Sequence, residues 1–581
     1  MRKNTYILLL CCALALAMFG VCSNPTEPEE QTGTGDDDIT EGDHAETHDD
    51  PADYVWNESD VVSITLIGNN ISSASDSVTI DGSTATITSS GTYRISGSLN
   101  NGQIIVDTED DEIVRLILNN AHISCSDNSP LYIASAEKTV IVLTDGTDNY
   151  LEDGLSYVYD DPDEDEPNAA LFSKDDLTIY GPGALTIDGK YNDGISSKDG
   201  LIITSGTITV SAADDGIRGK DYLVITNGIL TINADGDGLK SDNDDDSTMG
   251  YITLENGALT VNADGDAITA ETDVVITDGA FTLFCGDGST VPGDDETSTK
   301  GIKAGANIRI DGGAFSINSS DDAIHSNGEL LIAGGTFQIA TADDAIHADS
   351  NLVINNGVFN ITKSYEGIES SYSDVTINDG DIHIIASDDG INAAGGGESL
   401  PPHGGLTTAS TSHLYINGGY IAITAAGDGI DINGSITMTA GTVIVHGPTI
   451  NNNSAIDYDV SFKLTGGLLV AAGSAGMDQG PGSSSTQYSV LMRFRSVQAA
   501  GRLVHIETSS GEEILTFAPS KVFNSLAFSS PLLQFGVTYY VFINGSSTGT
   551  VTDGLYQGGT YAPGSEYSSF SLSSISQLIN L

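Results

Sequence analysis

A short phrase, an acidic residue followed by a small one and then Ile or Leu, recurs through the middle of the chain. It reads Asp193-Gly194-Ile195, Asp215-Gly216-Ile217, Asp237-Gly238-Leu239, Asp266-Ala267-Ile268, Asp322-Ala323-Ile324, Asp344-Ala345-Ile346, Glu366-Gly367-Ile368, Asp389-Gly390-Ile391 and Asp428-Gly429-Ile430, with Lys300-Gly301-Ile302 as a degenerate copy. Asp214, Asp321, Asp343 and Asp388 stand just before the phrase, so several copies present an Asp-Asp pair. On neighbouring strands the leading carboxylates would lie ~4.8 Å apart. Like charges at that distance repel by about 1 kcal/mol in water and by several at an effective dielectric near 20. A hard divalent cation relieves this, because calcium takes roughly 6–8 oxygens at about 2.3–2.6 Å. The expected ligands are therefore Asp193, Asp214, Asp215, Asp237, Asp266, Asp321, Asp322, Asp343, Asp344, Asp388, Asp389 and Asp428. The competing reading is that each Asp-Gly is a solvated turn with no ion. An EF-hand is excluded: the run Asp242 to Asp246 has Ser247 where the loop needs Gly and Thr253 where it needs Glu.

Two residues beyond the small residue lies a second column: Ser196, Arg218, Lys240, Thr269, Lys303, His325, His347, Glu369, Asn392 and Asp431. The chain has only 20 Lys and Arg, so finding three in one column calls for a reason. Alternation puts this column on the same face as the acids, with the intervening Ile or Leu pointing the other way. Carboxylates, cations and a bridging ion suit an acidic sugar. The same residues also fit internal charge balance, Arg218 and Lys240 screening Asp215 and Asp237. His325 and His347 read as ligands, acid–base groups or exposed polar filler.

The phrases are spaced by 22, 22, 29, 34, 22, 22, 22, 23 and 39 residues. Between them run segments of alternating apolar residues bounded by Gly, Asn and Asp, such as Leu201 to Gly206 and Thr207 to Val210, the signature of short strands. Equivalent strands recur a whole repeat apart in the same sense, which excludes a hairpin meander. The predicted fold is all-β: a right-handed parallel β-helix with three short strands per ~22-residue coil, closed by a small C-terminal β cap. The nonapeptide calcium roll is excluded by its period, and helical solenoids by the lack of any 3.6-residue periodicity.

The boundaries follow from composition. Residues 1–22 read as an export signal, with Arg2 and Lys3 before an apolar run from Ile7 to Val21. Cys22 is the expected lipidation site, although Phe19-Gly20-Val21-Cys22 departs from the usual Leu-Ala-Gly-Cys box. Residues 23–52 read as an acidic flexible tether, 53–480 as the β-helix and 485–581 as the cap. With 82 acidic residues the formal net charge is −62, which excludes nucleic acid as a partner. Any membrane association is expected only through a lipid anchor. Cys125 and Cys285 alone remain in the body, too few for a disulfide framework.

Gly91 to Leu99, Gly102 to Val106, Leu116 to Ile123, Thr147 to Tyr150, Leu171 to Gly183, the Asp-Gly-Ile coils and Ser529 to Asn544 together resemble a clostridial family of calcium-binding, carbohydrate-binding parallel β-helix proteins. That family is similar in fold to family 9 polysaccharide lyases. The resemblance implies an extracellular, cell-surface protein that binds calcium and acidic polysaccharide such as polygalacturonate, with cellulose a further substrate class. It also implies that Asp214/Asp215 and Asp388/Asp389 are calcium ligands. The expectation is non-catalytic binding. The alternatives are a pectate-lyase-like enzyme using Lys240, Lys220 or Arg218 beside calcium, and a structural or adhesive stalk.

Overall fold

The computed structural model describes residues 44–159, 165–293, 297–396 and 411–581. The signal segment, Cys22 and most of the acidic stretch 23–52 lie outside the described residues. Among the described residues helical structure is confined to three short turns, Pro51–Tyr54, Glu58–Asp60 and Gly288–Thr290. No helix there is long and apolar enough to cross a membrane. The rest is strand and turn.

Three ladders of short parallel strands organise residues 84–473. The first carries the repeated phrase: Ile217–Gly219 pairs with Leu239–Ser241, then Ile268–Ala270, Ile302–Ala304, Ile324–Ser326, Ile346–Ala348, Ile368–Ser370, Ile391–Ala393 and Ile430–Ile432. The second includes Tyr222–Ile225 and Tyr251–Leu254, and the third Thr207–Ala212 and Ile229–Ala234. Each strand pairs in parallel with its equivalent one repeat away. One passage through the three ladders is called a coil below.

The pairing register matches Ile217, Leu239, Ile268, Ile302 and Ile324 in one row, so every insertion in the spacing is absorbed outside the strands. Even the degenerate copy at Lys300 keeps its place. Period-2 alternation fixes the faces: in each three-residue strand of this ladder the outer two residues are buried and the middle one points away. Val, Ile and Leu from all three ladders share one continuous core. Within it Phe281, Phe315, Phe337 and Phe359 stack at centroid distances of 4.7, 4.7 and 4.6 Å, the strand spacing itself.

The turn between second and third ladders uses a glycine row, Gly313, Gly335, Gly357 and Gly380, with φ of 107°, 117°, 139° and 126°. L-residues avoid that region, so glycine recurs for a backbone reason. Residues 44–54, which include the end of the stretch read as a tether, run along the second ladder. His44 stacks on Tyr251 at 4.1 Å, and His48 bonds the hydroxyls of Tyr222 and Thr178. Lys138 Nζ holds Asp53 at 2.6 Å.

Beyond residue 473 the pairing turns mostly antiparallel, although Ser489–Gln498 also pairs in parallel with Ser576–Asn580. Leu468–Gly473 and Ser489–Gln498 both pair antiparallel with Phe523–Ser529. A six-stranded sheet follows, ordered Thr550–Thr552, Leu555–Gln557, Glu513–Phe517, Val504–Thr508, Thr538–Ile543 and Ser565–Ser571. It packs on Phe523–Ser529 and the outer side of the last coils in a second core, which includes Phe517, Tyr539, Phe528, Ile444 and Val470.

Candidate functional site

The repeated aspartates do two jobs with two oxygens. Oδ1 accepts the backbone N–H of the equivalent residue one coil on: Asp215 from Asp237 at 2.9 Å, Asp237 from Asp266 at 2.8 Å, Asp266 from Lys300 at 2.7 Å. The pattern resumes with Asp322 to Asp344 at 3.0 Å and Asp344 to Glu366 at 2.9 Å, and Asp389 accepts from Asp428. At these corners the backbone leaves the ladder, so its N–H needs another partner. That is the structural reason for Asp in the repeat. The second oxygen, Oδ2, is left to face whatever neutralises it.

In the middle coils the chain supplies its own cation. Lys240 Nζ lies 3.0 Å from Asp215 Oδ2 and 2.9 Å from Asp237 Oδ2. Lys303 reaches Asp266 at 3.4 Å, and Lys300 bonds Asp321 at 2.6 Å and Asp322 at 3.0 Å. His325 takes Asp322 at 2.7 Å, and His347 takes Asp344 at 3.2 Å and Glu369 at 2.9 Å. Arg218 pairs with Asp242 at 2.7 Å. Burial works against the charge on Lys240, but Asp215 and Asp237 outweigh it and raise the ammonium's pKa above its usual range. Lys220 lies within electrostatic reach of Asp199, whose carboxyl burial and then Asp176 and Asp221 push up to about 6.

At the two ends of the column the arrangement changes. Asp193, Asp214 and Asp215 bring carboxylate oxygens within 4.8 Å of one another, and so do Asp389, Asp428 and Asp431. Asp193 is 1% exposed, and its Oδ2 has no partner of proper hydrogen-bond geometry, the Ser196 hydroxyl alongside included. Burial and then Asp215 raise it to about 7. Among the described residues no Lys, Arg or His forms an ion pair with Asp388, Asp389, Asp428 or Asp431. Burial, followed by Asp431, Asp388 and Asp428, lifts Asp389 to about 8. Burial and neighbouring carboxylates lift Asp428 to about 6 and Asp431 to about 7. Gly427 keeps the pair Asp388 and Asp389 close, since a Cβ there would meet their Oδ1 atoms at 2.2 and 2.3 Å.

Asp388, Asp389 and Asp431 line one side of an open cleft of about 620 Å³ with Asn392, Tyr365 and Tyr372, and Asp344, His347 and Glu369 line its other side. Tyr365 is 46% and Tyr372 66% exposed, two aromatic rings presented to solvent beside unneutralised carboxylates. The neighbouring Asp388 carboxylate, followed by burial, raises the Tyr365 hydroxyl above the usual tyrosine range. Asp431 and Glu369 belong to the second column but were not expected as ligands. The signal was there, since both are acids where other coils place cations. Tyr365 and Tyr372 lie outside both columns, and nothing in the repeat marks them. Asp321, Asp322 and Asp343 form a third close group, with Lys300 already in it.

Three comparisons bear on this geometry. A family model described as a carbohydrate-binding domain-containing protein matches residues 81–345. A carbohydrate-binding domain-containing protein of Acetivibrio thermocellus is 44% identical over 126 residues, 22% of this chain and 44% of that protein. The chain thus spans less than half the length of that relative. A solved structure, titled as the polysaccharide lyase-like protein from C. thermocellum in a gadolinium derivative, matches with a TM-score of 0.38 and 35% identity. That match covers 38% of this chain and 90% of the other. The family match stops at residue 345, so of the residues lining the cleft it takes in Asp343 and Asp344 but not the tyrosines, Asp388, Asp389 or Asp431. The chain is similar to carbohydrate-binding proteins over its central coils.

Proposed function

We propose that this chain is a calcium-dependent, non-catalytic binder of acidic polysaccharide of the polygalacturonate type. The observation that carries the reading is the cleft lined by Asp388, Asp389 and Asp431, with Asp428 close to the last two: among the described residues none of the four is ion-paired, and two exposed tyrosines stand beside them. The all-oxygen donor set fits a hard cation. The orphaned Asp193 Oδ2 marks a second place at the other end of the column, where Lys240 already holds Asp215 but among the described residues no ion pair reaches Asp193 or Asp214. Asp389, Asp428 and Asp431 would hold one ion and Asp193, Asp214 and Asp215 another. Calcium bound there supplies positive charge to which a uronate carboxylate is drawn. Tyr372 and Tyr365 offer flat apolar faces with a polar tip, suited to sugar rings, while Asn392 and Asn433 offer amides along the same wall.

The same reading takes the three ladders as a right-handed parallel β-helix, residues 485–581 as its cap, and the cell exterior as its place, with Cys22 as lipid anchor. A lyase reading needs a neutral lysine to remove a proton from the sugar. Lys240, held charged between two carboxylates, is poorly suited to that.

The test is equilibrium binding of the full chain to polygalacturonate, in calcium and in EDTA, with ultraviolet detection of unsaturated product. Binding in calcium alone, without product, is expected. Sustained product formation would sink the non-catalytic claim. No retention on the polysaccharide, with a calcium-dependent melting temperature, would leave the stalk reading standing instead.

A further inference from the structure

The coils Asp321-Asp322-Ala323-Ile324-His325 and Asp343-Asp344-Ala345-Ile346-His347 repeat the same five residues one period apart. They differ from every other coil in placing imidazole, rather than ammonium, guanidinium, hydroxyl, amide or carboxylate, in the second column. The two histidines are paired in register, and their rings stack at 4.6 Å with 23° between planes.

Both rings turn the same edge to the acids. His325 Nδ1 lies 2.7 Å from Asp322 Oδ2, and His347 Nδ1 lies 2.9 Å from Glu369 Oε2 and 3.2 Å from Asp344 Oδ2. The opposite edges are held from outside: His325 Nε2 by Asn327 at 2.9 Å, His347 Nε2 by Ser371 at 3.1 Å and Asp349 at 3.4 Å. That division is how metal-binding histidines are oriented, one nitrogen fixed by an outer partner and the other left for the ion. Potential ligand atoms of Asp322, His325 and His347 lie within 4.8 Å of one another, as do those of Asp344, His347 and Glu369. His347 belongs to both groups. Asn392 is 6% exposed and its Oδ1 has no partner, while its amide nitrogen bonds Glu366 at 2.9 Å and reaches Glu369 at 3.5 Å.

We propose that His325 and His347, with Asp344, Glu369 and Asp322, form a site for a transition-metal dication of the Zn²⁺ class, separate from the all-oxygen cluster at Asp389, Asp428 and Asp431. Mixed imidazole and carboxylate ligation favours zinc, cobalt or nickel over calcium. Lys300 already engages Asp322 from the other side, so Asp344 and Glu369 are the principal carboxylates. The ion takes its ligands deprotonated, so it binds more tightly as pH rises.

The experiment is titration of the EDTA-stripped full chain with Co²⁺ near neutral pH, read by visible absorption and repeated with Zn²⁺ and Ca²⁺ as competitors. One equivalent of Co²⁺ should develop a ligand-field band that Zn²⁺ removes and a large excess of Ca²⁺ does not. Changes to outer partners alone cost 10- to 100-fold in affinity, so His347→Gln should weaken Co²⁺ by more than about 100-fold. His325→Gln should shift or abolish the band. In both variants the calcium-induced rise in melting temperature should persist, which separates this proposal from the calcium reading. The wild-type competition stands even if a variant fails to fold. Absence of a band in the wild type, its removal by equimolar Ca²⁺, or an unchanged band in both folded variants would overturn the proposal.

Discussion

Lys240 Nζ stands 3.0 Å from Asp215 Oδ2, a carboxylate on the preceding coil whose other oxygen accepts the backbone N–H of Asp237. One aspartate thus ties backbone and cation together across two coils. Removing one partner of a buried pair costs about 3–5 kcal/mol, because the other charge is left stranded. The Lys240 side chain is 28% exposed, so water recovers part of that. Lys240→Met is expected to lose about 1–3 kcal/mol in EDTA, measured by urea unfolding. Added calcium should return part of the loss, since the variant recreates the uncompensated carboxylates found at the ends of the column. A variant no less stable than wild type would show that the column tolerates the bare charge.

The raised carboxyls fix the sign of the pH dependence. Asp193 and Asp431 near 7, Asp428 near 6 and Asp389 near 8 all exceed the ~3.9 of an unfolded aspartate. Between those limits the folded chain holds more protons than the unfolded one, so stability is full below about pH 4 and is lost as pH climbs to 8. Each group withdraws about 1.4 kcal/mol per unit of its shift. Asp322 and Glu369 have the opposite sign, their carboxyls lowered, but their contribution is lost only on acidification below about 4. His347, raised to about 11, has the same sign as the raised aspartates: its contribution is full below about 6.5 and is lost progressively as pH rises from there toward 11. In EDTA the melting temperature should therefore fall steadily from pH 5 to pH 8. Calcium should flatten or reverse the slope, because it binds the deprotonated forms. A calcium-independent slope would remove the metal from the account.

Asp389→Asn and Asp428→Asn should split stability from function. Each removes a charge from a crowded group and keeps a side-chain oxygen for the bond to the next coil's N–H. In EDTA near pH 8 both variants are expected to melt higher than wild type. Their response to calcium and their calcium-dependent retention on polygalacturonate should both drop. Lower stability together with retained binding would contradict the assignment.

The ladders were legible because the phrase repeats, and registration of Ile217, Leu239, Ile268, Ile302 and Ile324 follows directly from it. The role of the aspartates was only half legible. Sequence spacing offered a corner residue or a cation ligand as rivals, whereas Asp215 serves the corner with Oδ1 and a cation with Oδ2. Which cation each coil meets depends on the second column, where Lys240 and His347 neutralise their neighbours and Asp431 does not. The packing of residues 44–54 was hidden, because His44 and His48 find Asp273, Tyr251, Tyr222 and Thr178 far along the chain. An acidic stretch shows no sign of such partners.

Tyr372 separates sugar recognition from ion binding. At 66% exposure it adds little to the fold, so Tyr372→Ala should change stability by no more than about 0.5 kcal/mol. Among the described residues it lines the cleft beside Asp388 and Asp389 without bonding to either. The calcium-induced rise in melting temperature should therefore be unchanged. Loss of an aromatic face against a sugar ring should weaken polygalacturonate binding about tenfold, equivalent to about 1.4 kcal/mol. Isothermal titration of wild type and variant in saturating calcium reads both quantities. Equal affinities would move the sugar site elsewhere on the column, with the cleft between Lys240 and Lys303 the next to test.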